Sequence, residues 1–373
     1  MKKSIALAII FLAAELAFAA ISIVAPRDGA VVCALPKAAA DFLALNSPTR
    51  IDLMPDANFR KGLSKKAADA EPIEFRWNAD SGENFVLEIS ETKDFADPIK
   101  IAARKRSKEP KQFRARAFNL KIAQNYFWRA KNTDTGETSE IRMVSVSDAA
   151  PRIMKVDGTR NVRDLGGRVG LSNRRVKQNL IFRGRGMNYN SKDGIKAGAV
   201  AIKPAGIKFM TKVLKIKTDL DLRSKKEVAD LSGSPLGEGV KWIHIPAYCY
   251  GGTFTEKGKA NYAQFFRVFC DEKNYPIYVH CIGGADRTGT LCYILNAILG
   301  VADDQLEKDW QATIFADPNV AFVAQKRYLS ILEGINKFGT KNEPTVIKAE
   351  RFLKSAGITD EEIAKFRSIM LPD

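Results

Sequence analysis

One short segment constrains the fold of this chain more than any other part of it. Residues 277–279 are apolar, as in a buried strand, and residues 288–299 form an apolar-rich run that predicts a helix. Between them lies a loop that contains Gly283 and Gly284. Glycines allow successive backbone N–H groups to turn toward one point, and the positive end of the helix faces the same point. The segment therefore predicts a strand, a loop and a helix that together bind an anion.

The side chains of this loop add a nucleophile and a cation to the predicted anion site. Cys281 begins the loop and Arg287 closes it six positions later. The field of the N–H groups lowers the pKa of a thiol, so we expect Cys281 to be a thiolate at neutral pH. A guanidinium binds two phosphate oxygens at once, which a lysine cannot do. The hydroxyl of Thr288 is placed to bond the sulfur, and Asp286 should face a leaving group.

The region around this loop, residues 152–373, alternates strand and helix patterns. Strands are predicted at 217–223, 242–246 and 277–279, and helices at 204–214, 262–269, 288–299, 307–315, 320–338 and 360–370. This alternation is typical of an α/β domain in which helices flank a mostly parallel central sheet.

Further motifs occur in order along the same region. They are Asn-Val-Arg-Asp-Leu-Gly-Gly at 161–167, Phe-Arg-Gly at 182–184, Asp-Leu-Arg-Ser at 221–224 with Glu227, and Ala-Gly-Ile-Thr at 356–359 after Leu353. Together with the His-Cys-x-x-Gly-x-x-Arg-Thr loop, they resemble the bacterial tyrosine phosphatase family of the cysteine-x5-arginine superfamily. From the residues alone, we interpret Asn161, Arg163 and Asp164 as a capped turn, because such side chains beside glycine suit turns.

The resemblance implies a role for each residue of the loop. Cys281 would attack phosphorus to give a phosphocysteine that water hydrolyses, with Thr288 helping the sulfur to leave. The family needs a general acid for the leaving oxygen, and no Trp-Pro-Asp loop is present. Asp286 is the first candidate and Asp221 the second. No metal or cofactor is implied, and the phosphate would bind to Ile282, Gly283, Gly284, Ala285, Asp286 and Arg287.

The substrate class stays open at this stage. Family substrates include phosphotyrosine and, in some members, phosphoinositides. Many relatives carry a lysine where this chain has Ala285, which favours phosphotyrosine or simple aryl phosphates over highly phosphorylated inositol rings. The formal net charge of +16 favours the opposite, because a basic surface attracts polyanions. A third alternative is a non-catalytic phosphate-binding or adhesion module, which would bind phosphate without turnover.

Residues 25–147 follow a different pattern. Short runs at 74–77, 85–89, 125–130 and 141–144 predict strands separated by glycine-containing turns, which favours a β-sandwich. Trp77, the Ile-Ser and Asp-Phe pairs within 89–95, and the segment from Asn119 to the Tyr-Phe-Trp-Arg run at 126–129 resemble a fibronectin type III domain. That resemblance implies a binding or spacer module, with a polyanion or a surface ligand as its candidate partner.

The first nineteen residues predict export. Lys2 and Lys3 precede an apolar run at 5–12, and residues 17–19 supply a small-x-small cleavage pattern. We expect residues 1–19 to be a signal peptide and the mature protein to be periplasmic or secreted. No later segment is apolar enough to span a membrane, and we expect no nucleic-acid partner. Five cysteines, an odd number, are not typical of a disulfide framework, and two histidines disfavour a histidine-based zinc site.

Overall fold

The computed structural model of the protein describes residues 21–189 and 198–372. The predicted signal peptide, residues 1–19, lies outside the described residues. The described chain divides into two compact units. The first contains residues 21–30, 74–117 and 125–144, and the second contains residues 31–73, 118–124 and 145–372.

The first unit is built from β-strands. Strand β3 lies between β1 and β7 in one sheet, whose order is β1-β3-β7-β6, and the order of the other sheet is β2-β9-β8-β4-β5. The pairs β1–β3, β6–β7, β4–β5 and β4–β8 are antiparallel. The strands are β1 Ile21–Ala25, β2 Ala30–Val32, β3 Ile73–Ala79, β4 Phe85–Ser90, β5 Ile99–Ala102, β6 Arg104–Arg106, β7 Glu109–Ala117, β8 Gln124–Asn132 and β9 Arg142–Val146.

Aromatic side chains from both sheets form the core of this unit. Every second residue of β3 is buried, as the period of a strand requires. The ring of Phe75 on β3 meets that of Trp128 on β8 at 4.8 Å between centroids, and Phe85 on β4 meets Phe113 on β7 at 4.4 Å. The runs predicted as strands at 74–77, 85–89, 125–130 and 141–144 correspond to β3, β4, β8 and β9. The fibronectin type III-like assignment stays a prediction.

Helices that the sequence analysis did not predict interrupt the 25–147 region. They are α1 Lys37–Ala44, α2 Ser47–Leu53 and α3 Ala57–Ala67, and they belong to the second unit. Side-chain oxygens of Asn46 and Asp56 accept hydrogen bonds from the first turns of α2 and α3. Fully buried Arg50 fixes α2 in place, because its guanidinium bonds Gln311 at 2.6 Å and Glu307 at 3.0 Å.

The second unit contains a mainly parallel sheet, of order β10-β11-β14-β12-β13. Strand β14 lies in its centre and runs parallel to β11 and β12, while the short strand β10 is antiparallel to β11. Parallel strands put their carboxyl ends at one edge, which is where α/β folds bind ligands. The strands are β10 Arg163–Asp164, β11 Ile181–Arg185, β12 Thr218–Asp221, β13 Lys241–His244 and β14 Ile277–Cys281.

The helices predicted from the sequence surround this sheet in the predicted order. Helix α10, Thr345–Ser355, is an additional one. The helix predicted at 204–214 is α-helical only to Lys208 and continues as a π-helical turn at Phe209–Val213. No helix among the described residues is both long and apolar enough to cross a membrane. The helices are α4 Pro204–Lys208, α5 Glu256–Cys270, α6 Asp286–Ile298, α7 Asp303–Gln311, α8 Thr313–Ala316, α9 Pro318–Asn336, α10 Thr345–Ser355 and α11 Asp360–Met370.

Candidate active site

Cys281 lies at the carboxyl end of the central strand β14, and α6 begins five residues later at Asp286. The side chain is buried, with 2% of the residue exposed. Residues 282–285 connect strand and helix, and we call residues 281–287 the phosphate loop. Because the N-terminus of α6 carries the positive end of the helix dipole, a negative charge at the sulfur or above it is stabilised there.

Two side chains from β11 and the segment before β10 hold the backbone of the phosphate loop. The side-chain amide of Asn161 donates to the carbonyl of Gly283 at 3.0 Å, and Arg183 donates to the carbonyl of Gly284 at 2.8 Å. Gly284 has a positive φ of 68°, and a Cβ there would lie 2.3 Å from the carbonyl oxygen of Gly184. Glycine is therefore required at 284, where the chain turns its N–H toward the sulfur of Cys281.

The environment of Cys281 favours its thiolate. Burial alone would raise the pKa of this thiol, but Arg287, the hydroxyl of Thr288 and the N–H groups of Thr288 and Gly284 lower it further than burial raises it. Burial instead dominates at Cys249, Cys270 and Cys292, and raises their pKa values to about 11, 12 and 11. All five cysteines are unpaired. The thiol best suited to nucleophilic chemistry is the one in the phosphate loop.

Arg287 is oriented by the carboxylate of Glu227, for which the sequence motif alone indicates no role. The two terminal nitrogens of Arg287 donate to the two oxygens of Glu227 at 2.7 and 3.0 Å. Glu227 also accepts from the N–H of Ser224 at 2.6 Å. Burial raises the pKa of Glu227, but these bonds outweigh it and lower the pKa to about 2. The guanidinium is thereby held in a fixed plane near Cys281, where it can also donate to phosphate oxygens.

The two predicted general acids lie in opposite environments. Asp221, at the end of β12, is fully buried and binds Arg223 through both oxygens, with its shortest contact at 2.6 Å. Despite burial, His280 and Arg223 lower its pKa to about 2. Asp286 is half-buried in the first turn of α6, and burial raises its pKa against the opposing effect of Arg287. Of the two, Asp286 is the carboxyl group whose surroundings favour the protonated form.

A buried cluster of charges lies against the phosphate loop. Asp309 on α7 binds Arg163 and Arg168 at 3.1 Å each, and also pairs with Arg183. Arg163 in turn donates to the side-chain oxygen of Asn161 at 2.6 Å. The interpretation of residues 161–164 as a capped turn therefore covers only Asp164, which accepts from the N–H of residues 166 and 179. Asn161 and Arg163 belong to the support of the phosphate loop.

The structure also adds side chains on the outer side of the loop. The hydroxyl of Tyr250 donates to a carboxylate oxygen of Asp286, and the guanidinium of Arg327 on α9 lies 5.3 Å from the centre of the Tyr250 ring. Neither residue belongs to a recognisable motif, so no sequence signal pointed to them. Among the described residues, no group of three or more histidine, cysteine, aspartate or glutamate side chains is arranged to hold a metal ion.

Comparison with known proteins gives one family, and the solved structures that resemble the chain include two of one phosphatase. A family model described as the tyrosine phosphatase family matches residues 154–372, which contain every side chain of the site. No curated protein matches the chain. The core catalytic domain of the PP-IP phosphatase Siw14 from S. cerevisiae, in complex with citrate, is 14% identical with a TM-score of 0.26, over 43% of this chain and 90% of that one. A second Siw14 catalytic core is 15% identical with a TM-score of 0.27, over 40% and 78%.

Proposed function

Since the chain belongs to the tyrosine phosphatase family, we propose that it is a cysteine-dependent phosphomonoesterase that hydrolyses phosphotyrosine through a phosphocysteine intermediate. The observation that carries this proposal is the environment of Cys281. A buried thiol with a lowered pKa lies near a guanidinium that a carboxylate holds at two points, and it accepts from the N–H groups of Thr288 and Gly284. That arrangement suits attack on a phosphate and stabilisation of its transition state.

The reaction has two steps that the site residues can carry. In the first, the sulfur of Cys281 bonds to phosphorus, the bond from phosphorus to the leaving oxygen breaks, and Asp286 gives its proton to that oxygen. In the second, water attacks phosphorus, the sulfur–phosphorus bond breaks, and the Asp286 carboxylate takes the proton of the water. Arg287 binds the phosphate oxygens in both steps. We assign Asp221 to the support of Arg223 and His280, because a buried, paired carboxylate of low pKa has no proton to give.

The substrate class rests on the charge of the loop and of the whole chain. Ala285 is buried and adds no cation to the phosphate loop, which supports an aryl phosphate rather than a ring with many phosphates. The net charge of +16 supports an inositol phosphate or phosphoinositide as the second candidate. Export and a fibronectin type III-like first domain accompany this proposal, and both are supported by the sequence patterns alone.

Phosphate release by the mature protein tests the proposal. We expect metal-independent turnover, measured in chelator, on a phosphotyrosine peptide, with less on a phosphoserine peptide and on inositol hexakisphosphate. Cys281→Ser should lower turnover by at least about 10⁴-fold, because no other group replaces the thiolate. Exposed Cys33 offers the matched control, and Cys33→Ser should leave turnover unchanged.

Each outcome separates one candidate from the others. Preference for inositol hexakisphosphate with loss in Cys281→Ser would replace the phosphotyrosine assignment and keep the cysteine mechanism. Turnover that survives Cys281→Ser would contradict the mechanism. A folded, reduced protein that binds phosphate and turns over none of the three substrates would instead be the non-catalytic module.

A further inference from the structure

Tyr250 is attached at two points to the first turn of α6. Its backbone N–H donates to the hydroxyl of Thr290 at 3.0 Å, and that hydroxyl donates to the carbonyl of Asp286 at 2.9 Å. Its own hydroxyl donates to the Oδ1 atom of Asp286. The backbone of Tyr250 has a positive φ of 54°, which non-glycine residues adopt only where the surroundings hold them there. The segment after β13 is thus fixed to the start of α6.

The ring of Tyr250 is packed between two further helices. Trp310 on α7 meets it edge-on at 6.1 Å between centroids, and the guanidinium of Arg327 on α9 lies over it at 5.3 Å. The residue is only 8% exposed. A tyrosine held by two ring contacts and at its backbone has little freedom to move its hydroxyl. The position of the hydroxyl is therefore set by the fold and does not depend on the substrate.

We propose that Tyr250 is the positioning residue of the general acid, which it holds by donating to Oδ1 of Asp286 so that Oδ2 carries the proton toward the leaving oxygen. This inference rests on the proposed function, in which Asp286 protonates the leaving group. A hydroxyl that occupies one carboxyl oxygen leaves the other to hold the proton, and the carboxyl plane cannot rotate without breaking the bond. A general acid must lie within hydrogen-bond reach of the oxygen it protonates, so its orientation affects the rate directly.

The charges around Asp286 determine the direction of the pH effect. Arg287 on α6 and Arg327 on α9 face the carboxyl group, as do Cys249 and Tyr250 from the segment after β13. Burial raises the pKa of Asp286, and the two arginines lower it. A hydrogen bond donated to a carboxylate favours the charged form. Removing the Tyr250 hydroxyl therefore raises the pKa of Asp286 and extends the protonated form to higher pH.

The test compares a poor leaving group with a good one. Phenyl phosphate releases a phenol whose pKa is about 10, like that of tyrosine, and depends on the acid, whereas 4-nitrophenyl phosphate releases a much weaker base. We expect Asp286→Asn to lose more kcat on phenyl phosphate than on 4-nitrophenyl phosphate. Tyr250→Phe should show the same selectivity, with about a 10-fold to 100-fold loss on phenyl phosphate. It should also move the alkaline limb of the kcat profile to higher pH. Tyr248→Phe, at an exposed tyrosine of the same segment, should match the wild type.

A second substitution tests the same bond with the ring and the fold retained. Replacing Tyr250 by 3,5-difluorotyrosine gives a stronger donor, and the alkaline limb should then move to lower pH. One outcome is that Asp286→Asn loses more kcat on phenyl phosphate than on 4-nitrophenyl phosphate while both Tyr250 substitutions keep the wild-type ratio of the two kcat values and the wild-type alkaline limb. The positioning role is then wrong and the proposed function stands. If Asp286→Asn shows no selectivity, Asp286 is not the acid and the inference falls with that assignment. The loss of turnover in Cys281→Ser would still identify the phosphatase.

Discussion

Two groups of charged residues lie at the phosphate loop. The inner side is formed by Asp309 with Arg163, Arg168 and Arg183, and the outer side by Asp286 and Arg327. Both use the same kinds of residue, but for different purposes. On the inner side, Asp309 and its three arginines are almost completely buried, and each charge is paired with another. On the outer side, Asp286 is half-buried, and no carboxylate among the described residues lies within salt-bridge distance of Arg327. Charges that are fully paired within the fold have little capacity to bind a substrate or to exchange a proton. Charges with incomplete partners retain that capacity.

This difference underlies the separate roles that we propose for two aspartates near one cysteine. Asp221 is held ionised by Arg223 and His280, and its pKa of about 2 leaves no proton at neutral pH. Asp286 has a raised pKa, because burial outweighs the opposing effects of Arg287 and Arg327. We therefore propose that the buried, paired charges fix the shape of the loop and that Asp286, on the outer side, supplies the proton. Substitutions that affect one side and spare the other test this division.

The largest effect should come from removing the centre of the inner cluster. Asp309→Asn leaves Arg163, Arg168 and Arg183 buried with reduced compensation, and breaking a buried ion pair in this way costs about 3–5 kcal/mol. We expect that loss in the free energy of unfolding, measured by urea denaturation at pH 7. Asp52→Asn, at an exposed aspartate of α2, is the control and should leave the urea midpoint unchanged. A loss below about 1 kcal/mol in Asp309→Asn would show that the cluster does not hold the inner side.

A smaller effect, on kcat/KM, should distinguish two adjacent glycines whose surroundings differ. A Cβ at Gly284 would lie 2.3 Å from the carbonyl oxygen of Gly184, whereas a Cβ at Gly283 would meet only a side-chain atom of Val320 at 3.8 Å. Gly284→Ala should therefore displace the N–H that faces Cys281 and lower kcat/KM by about 10² to 10³. Gly283→Ala should lose far less. Equal losses in the two variants would mean that the inner contact does not determine the loop geometry.

The parts of the site that the sequence predicted are those that lie close together along the chain. The phosphate loop is a strand, a glycine turn and a helix start within eleven residues, so local rules are enough to predict that Cys281 and Arg287 share one loop. The alternation of strands and helices likewise indicated a mostly parallel sheet, which the structure contains. Neither inference needed knowledge of which distant residues meet.

The rest depended on contacts between residues far apart in sequence. Asn161 meets Gly283 across 122 positions, and Arg163 meets Asp309 across 146. Tyr250 reaches Asp286 from a segment with no motif of its own. The helices α1 to α3 are short and lie within a region whose pattern predicts strands, although Asn46 and Asp56 are typical capping residues. Their stability comes from packing, such as that of Arg50 against Glu307, which a local pattern does not reveal.

The smallest effect concerns the charge of His280, which precedes Cys281 on β14 and belongs to a second group of buried, paired charges. Its Nε2 atom is 2.9 Å from Asp219, and its Nδ1 atom is 3.1 Å from the carbonyl of Cys281. Burial lowers the pKa of this imidazole, but Asp221 and Asp219 outweigh burial and raise it from 6.5 to about 9. A histidine with a raised pKa binds its proton more tightly in the folded state. It therefore stabilises the fold below pH 6.5, and this contribution, up to about 3 kcal/mol, is lost as pH rises through about 9.

Nuclear magnetic resonance of labelled histidine measures this charge directly. The chain has two histidines, so His244→Gln assigns both signals by the loss of one. We expect the His280 ring to stay protonated at pH 7.5 and to titrate near 9, and the free energy of unfolding to fall over the same interval. A His280 signal that titrates at or below 6.5 would mean that Asp219 and Asp221 do not compensate its charge. The buried charges next to the loop would then include a neutral ring, and full pairing of charges would no longer distinguish them from the charges of the outer side.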